Sequence, residues 1–347
     1  MKHPAESKTM ITAVVMLLLA VVTIGFQGKA HADKTYKFTM QNMFSLNHPI
    51  SIAVEKMGKA ITAESKGRIN IQILPAGALM GGPNIFESVG MGAINMGTTC
   101  SCYHDGILPV AATAFALPGD PRDVEQIRDF IYQEEVLKFY RDAYSSVDVF
   151  YGAPMVMDGY TIVSKKPIQS WDDLKKLKVR ASGSIAKTLQ KMEIPTVFIP
   201  FSEIYVALSR GTIDAEISGS HTESFLAGTY EVAKYQTVPD ITGAQNCELI
   251  LNLKSWNELP DDLKQIFEKN LKSCSAHVAE LFASENKDIR AKMEAKGARY
   301  VEMPKEVVKK WTTTALRMWD EELAKDPMSV RYIELVKKDL KTRGYDL

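Results

Sequence analysis

The sequence contains none of the short runs that mark common reactive or nucleotide-binding sites. It has no GxxxxGK[ST] phosphate loop, no HExxH zinc helix and no GxSxG nucleophile turn. The run Gly90-Met91-Gly92-Ala93-Ile94-Asn95 puts asparagine where a dinucleotide fingerprint needs its third glycine. Charge of one sign is also lacking: 42 basic residues face 42 acidic ones, which excludes a polybasic nucleic-acid or membrane-surface binder. These absences make an enzyme the minor expectation, a hydrolase or lyase being its form. No cofactor is expected.

Cysteine is scarce, with only Cys100, Cys102, Cys247 and Cys274. Cys100 and Cys102 are too close in sequence for a relaxed bridge to one another. A Cys247–Cys274 bridge is sterically conceivable, but buried free thiols are the first expectation. His104 extends the pair to C-x-C-x-H, which is too few ligands for a metal site, so none is expected.

A long apolar run occurs once. Ile11–Phe26 follows Lys2 and Lys8 and precedes Ala30-His31-Ala32, the n-region, h-region and small-residue pattern of an export signal. Sixteen residues fall short of the roughly 20 needed to span a bilayer. The expectation is a signal peptide over 1–32, cleaved after Ala32, and a periplasmic product. Losing Lys2, Lys8, Lys29 and Glu6 would leave that product with a net charge of −2. Its length and the 46% apolar composition suit two domains.

The remainder alternates strand and helix patterns. Tyr36–Asn42 reads as a strand, 49–65 as a helix closed by Gly67, and Arg68–Leu74 as a strand with Ile69, Ile71 and Ile73 on one face. A helix over 84–91 and a strand over 93–97 follow. One long amphipathic helix is expected over 123–144, and a strand over 147–151. A second β/α series runs from Tyr160 to Ser218. The strand 247–253 has room to return to the first series. Two lobes, each a mainly parallel sheet flanked by helices, are the predicted α/β architecture. From Asp261 to near Gly297 apolar residues keep three- and four-residue spacing, which predicts a rod of roughly 50 Å spanning both lobes, or two helices joined at a kink.

Five segments resemble one family, the substrate-binding proteins of TRAP (tripartite ATP-independent periplasmic) transporters, also called the dicarboxylate-binding type. They are Gly67-Arg68-Ile69-Asn70-Ile71 with Leu74-Pro75-Ala76-Gly77-Ala78-Leu79; Lys166-Pro167-Ile168 with Trp171-Asp172-Asp173-Leu174-Lys175-Lys176-Leu177-Lys178-Val179-Arg180; Pro200-Phe201-Ser202-Glu203-Ile204-Tyr205-Val206-Ala207-Leu208 with Arg210-Gly211-Thr212-Ile213-Asp214; Tyr230-Glu231-Val232-Ala233-Lys234-Tyr235; and Trp256-Asn257-Glu258-Leu259-Pro260. Lys176 replaces the family's usual glycine.

The resemblance implies a two-lobed periplasmic binding protein fold, with lobe I over 33–155 and 246–285 and lobe II over 156–245 and 286–347. It also implies a ligand in the interlobe cleft, hinge closure, and delivery to integral membrane subunits. The binding protein of an ATP-driven importer and a ligand-presenting sensor subunit are the alternatives. A monomer that binds a small organic anion and no nucleic acid is expected.

Arg180 matches the family arginine that pairs with the ligand carboxylate, for which a planar guanidinium offers two parallel donors. Phe201 matches an aromatic position that packs on the ligand. Ser218 stands where many members carry asparagine, and Ser220 or His221 could take over that contact. Thr161, after Gly159 and Tyr160, replaces a second arginine, which argues against a typical dicarboxylate. Gln41 and Asn42 end the first strand, and Thr98, with the Cys100–Tyr103 loop, ends the third. These strand ends and Tyr160 complete the expected site.

Overall fold

The computed structural model describes residues 34–345, and residues 37–345, which carry everything discussed below, belong to one compact unit. The expected leader and its cleavage point lie outside the described residues. Eleven strands make two sheets. In chain order they are β1 (Tyr36–Gln41), β2 (Ile69–Leu74), β3 (Met96–Cys100), β4 (Val149–Met157), β5 (Val163–Ser164), β6 (Val179–Arg180), β7 (Thr196–Val197), β8 (Ala215–Glu216), β9 (Tyr235–Val238), β10 (Gln245–Asn252) and β11 (Arg299–Glu302).

The first sheet has the order β2-β1-β3-β10-β4 and the second β11-β9-β5-β8-β6-β7. β1 and β3 run parallel, but β10 inserts antiparallel between β3 and β4. β5 is likewise antiparallel to β8 and β9, whereas β6 is parallel to β7 and β8. Both sheets are therefore mixed but mainly parallel: β10 alone runs against β1, β3 and β4, and β5 alone against β6, β7, β8, β9 and β11, each following a crossing between the lobes.

Local sequence explains the first lobe's opening elements. The helix Pro49–Glu64 starts on proline, and His48 Nδ1 accepts the Ile50 N–H at 3.2 Å. Its face of Ile50, Val54, Met57 and Ile61 is buried. Gly67, at φ 78°, adopts the left-handed turn that releases the chain into β2.

The expected helix over 123–144 is two helices, Val124–Ile131 and Glu134–Ser145. Gln133 turns extended between them, and its Nε2 donates to Asp339 Oδ1 at 2.9 Å. That partner sits in the C-terminal helix Pro327–Thr342, which packs Tyr332, Ile333, Val336 and Leu340 into one core with Phe130 and Tyr140. Buried Arg122 ties the same elements together, 2.7 Å from Asp120 and 3.1 Å from Asp339. The stretch 327–342 thus packs with the first lobe, where the sequence reading put 286–347 in the second.

A single helix, Asp261–Ala295, fulfils the rod expectation with 35 residues and no kink into two helices. Near its start Phe267 meets Phe38 and Trp256 of the first lobe, with ring centroids 5.4 and 6.0 Å apart. Near its end Ile289 and Met293 share a cluster with Tyr230 and Ala298 of the second. The chain also crosses between β4 and β5, between β9 and β10, and again after β11 on its way to the helix Pro327–Thr342.

The cysteine expectation is corrected here. Antiparallel pairing sets Cys247 directly opposite Cys100, and these two form the disulfide. Cys102 and Cys274 remain free. The bridge joins residues 147 apart in sequence. Only the sheet order makes them neighbours, and spacing along the chain could not.

Candidate functional site

A small cavity, about 20 Å3, lies between the two lobes. Met43, Phe44, Cys102, Tyr103 and Phe115 come from the first lobe's loops and helices. Arg180, Ser182, Phe201, Ser218 and Glu223 come from the second. Tyr160 and Gln245 enter from the two crossing segments.

Arg180 ends β6, where the motif Leu177-Lys178-Val179-Arg180 leaves a short helix for the sheet. Only 2% of it is exposed. Its Nε donates to the Ile199 carbonyl at 2.8 Å, which fixes the plane of the guanidinium. Phe198 covers it, with the ring centroid 5.7 Å from Cζ. Among the described residues no carboxylate forms an ion pair with Arg180. A buried guanidinium without a counter-ion is costly unless an anion completes it.

The surrounding titration pattern follows from burial. The Tyr103 hydroxyl is pushed up to about 12 by burial, partly offset by the Arg180 charge. Burial also raises Cys102 to about 12, so this thiol is protonated and unreactive at neutral pH. Glu216, which accepts from the Ser218 hydroxyl, is lifted to about 7 by burial against the pull of Thr229 and Arg180. Glu223 is raised to about 8, again by burial first. Burial holds the Tyr160 hydroxyl well above the usual tyrosine range, and the Glu223 and Arg180 charges act on it in opposite directions.

Of the residues expected from sequence, Arg180, Phe201, Ser218 and Tyr160 meet at this cavity. Gln41, Asn42, Thr98 and His221 do not line it. Gln41 Nε2 donates to the carbonyls of Asn42 and Pro75, and its Oε1 accepts the Leu79 N–H. Asn42 binds Ser51 and Thr98 at 2.7 Å each, and Thr98 Oγ1 also accepts the Met43 N–H. Their polar atoms are spent on shaping the loop that brings Met43 and Phe44 to the wall.

His221 lies in a separate groove with Asp158, Asp240 and Arg290, edge-on to Tyr300 at 4.9 Å. Burial lowers it to about 4, so it is neutral near pH 7. Thr161 donates to the Thr237 carbonyl at 2.7 Å and contributes no charge to the cavity.

Sequence reasoning missed Ser182, Glu223, Gln245, Phe44 and Phe115. Glu223 left one trace: Ser220-His221-Thr222-Glu223 is a capping box, which fixes the glutamate's backbone position immediately after β8. The two phenylalanines stand in no motif, and only tertiary packing brings them in.

The matching family model, bacterial extracellular solute-binding protein, family 7, covers residues 40–326. The monocarboxylate 2-oxoacid-binding periplasmic protein of Nostoc sp. (strain PCC 7120) is 26% identical over 279 residues, spanning 79% of this chain and 76% of that protein. A TRAP periplasmic solute-binding protein from Pseudoalteromonas atlantica, solved with sodium and pyruvate, is similar in fold with a TM-score of 0.83 at 22% identity. It covers 90% of this chain and 95% of that one. A TRAP protein from Rhodoferax ferrireducens, solved with malonate, has a TM-score of 0.80 at 21% identity, covering 89% and 100% respectively. Because the family model covers most of the sequence and the two-lobed fold agrees with it, this chain belongs to the bacterial extracellular solute-binding proteins of family 7.

Proposed function

We propose that this protein is the extracytoplasmic receptor of a TRAP transporter, one that captures a small organic acid between its lobes and presents it to the membrane subunits. The observation that carries the reading is Arg180, buried, without an ion-paired carboxylate, in a cavity walled by both lobes. A ligand carboxylate would supply the missing counter-charge through two parallel hydrogen bonds. Relatives named for 2-oxoacid binding, or solved with pyruvate or malonate, support the same ligand class.

The mechanism is capture without chemistry. In this reading the open lobes admit the acid, Arg180 anchors it, and Tyr103, Phe44 and Phe201 close over it and exclude water. The protonated Cys102 and neutral His221 offer no activated nucleophile or base at neutral pH. The mature protein begins after Ala32 and acts as a periplasmic monomer. Its lobes exchange near 155/156, 245/246 and 285/286, with the helix Pro327–Thr342 on the first.

A thermal-shift panel of small carboxylates tests the proposal. Ligand at 100 times its Kd should add about 2.7 kcal/mol of stability. Arg180→Met should abolish the shift while the ligand-free melting temperature stays close to that of the parent. A variant that binds the acid as tightly as the parent would falsify the assignment of Arg180.

A further inference from the structure

Arg180 shares its cavity with two side chains that carry buried hydrogen-bond acceptors, Glu223 and Gln245. Glu223 is 3% exposed, and among the described residues it forms no ion pair with Lys, Arg or His. Its Oε2 accepts the Ser220 N–H at 2.8 Å and Gln245 Nε2 at 3.1 Å. Gln245 Nε2 also donates to the Asp158 carbonyl at 3.2 Å. Both partners of that nitrogen are acceptors, which fixes the orientation of the amide. Its other atom, Oε1, is therefore an acceptor, and it is buried with no donor. A buried acceptor left unmatched is destabilising until a donor reaches it.

Other charges near Glu223 do not relieve this. Asp158 and Glu216 both act on it with the same sign. His221 and Arg290 line the groove beyond Ser220, where His221 is neutral. The cavity thus brings together one cationic side chain, Arg180, and two acceptor-bearing ones, Glu223 and Gln245.

We propose that Glu223 and Gln245 are specificity-determining residues, and that the ligand is a small carboxylate bearing a hydrogen-bond-donating group, ammonium or hydroxyl, at its other end. The inference rests on the carboxylate-capture reading and narrows its ligand class. An oxo acid or a second carboxylate brings no donor, which leaves Oε1 of Gln245 unmatched. An ammonium brings a donor and a charge that ionised Glu223 would balance. Because burial holds Glu223 up at about 8, it carries a proton at neutral pH, and pairing with an ammonium would release that proton to solvent. A hydroxyl donates without this release.

Titration calorimetry of the mature protein tests the inference, with alanine, lactate, pyruvate and malonate as probes. Each is run near pH 7 in two buffers of different ionisation enthalpy, with and without sodium and with a chelator. The expected result is that alanine or lactate binds about tenfold or more tightly than pyruvate and malonate. Proton release should accompany alanine and be absent with lactate. Glu223→Gln, which keeps the capping box, should erase the preference for alanine and the proton release. Pyruvate or malonate binding as tightly as the donor-bearing acids, whether or not a metal cation is required, overturns the inference alone. So does a preference for alanine that survives in Glu223→Gln. Failure of all four carboxylates and of wider panels overturns it together with the reading beneath it.

Discussion

Arg180 and Asn42 show how differently two polar residues at strand ends can be used. Arg180 sits on a motif that ends in a short strand facing the other lobe, and its position alone indicates its role. Asn42 ends a strand in an equivalent way, yet its side chain is a hub that binds Ser51, Thr98 and the Phe44 N–H. Removing one side of such a buried hub leaves the others unpaired, so Asn42→Ala should cost about 1–3 kcal/mol in urea denaturation. Its effect on binding should be similar for every acid tested, because it acts through the Phe44 loop; a change of ligand preference would contradict this structural role. Sequence made the cationic anchor legible through its motif. It could not separate Gln41, Asn42 and Thr98 from the cavity wall, since strand position does not say which neighbour a short polar side chain reaches. His221 went astray for a related reason: one residue beyond Ser220 the chain enters a helix, and the ring turns into the groove on the other side.

At the scale of elements, patterning succeeded where burial is periodic. The apolar stripe from Leu263 to Ile289 specified a long helix because each end has its own lobe to pack on. It failed where a tertiary contact overrides local preference, as at Gln133, whose bond to Asp339 accompanies the break between two helices. The disulfide is the clearest case, since pairing of Cys100 with Cys247 depends on β10 returning between β3 and β4. Thiol titration of the denatured, unreduced protein should find Cys102 and Cys274 only, and all four cysteines after reduction. Cys247→Ala should lower stability by about 2–4 kcal/mol, because the bridge closes a long loop. Four reactive thiols without reductant would remove the bridge from the account.

Over the whole molecule, buried acids and buried histidines oppose one another in their response to pH. Glu216 and Glu223 hold protons up to about 7 and 8 in the fold, whereas an unfolded chain ionises them near ordinary carboxylate values. From about pH 4.5 up to about 8 the unfolded chain therefore binds fewer protons, and these acids, together with Asp240, which burial lifts to about 7, lower stability as pH rises. The slope is at most about 1.4 kcal/mol per pH unit for each proton retained. His48 and His221 are lowered by burial to about 3 and 4, so below about 6.5 the unfolded chain takes up protons that the fold refuses. Between about pH 4.5 and 6.5 the acids and histidines therefore act in opposite directions and largely cancel, whereas above about pH 6.5 only the acids act. Urea midpoints should fall from about pH 6.5 to 8, and Glu223→Gln should flatten that limb. A midpoint that climbs steadily to pH 8 would contradict the buried acids.

These pH effects surround one electrostatic feature, the buried Arg180 guanidinium, for which we propose a carboxylate brought from outside as the partner. Mass spectrometry of the small molecules released on denaturing the purified protein tests it most directly. The account predicts a near-stoichiometric small carboxylate from the parent and none from Arg180→Met prepared in parallel. Equal retention by both proteins, or release of a ligand with no acid group from the parent, would contradict it.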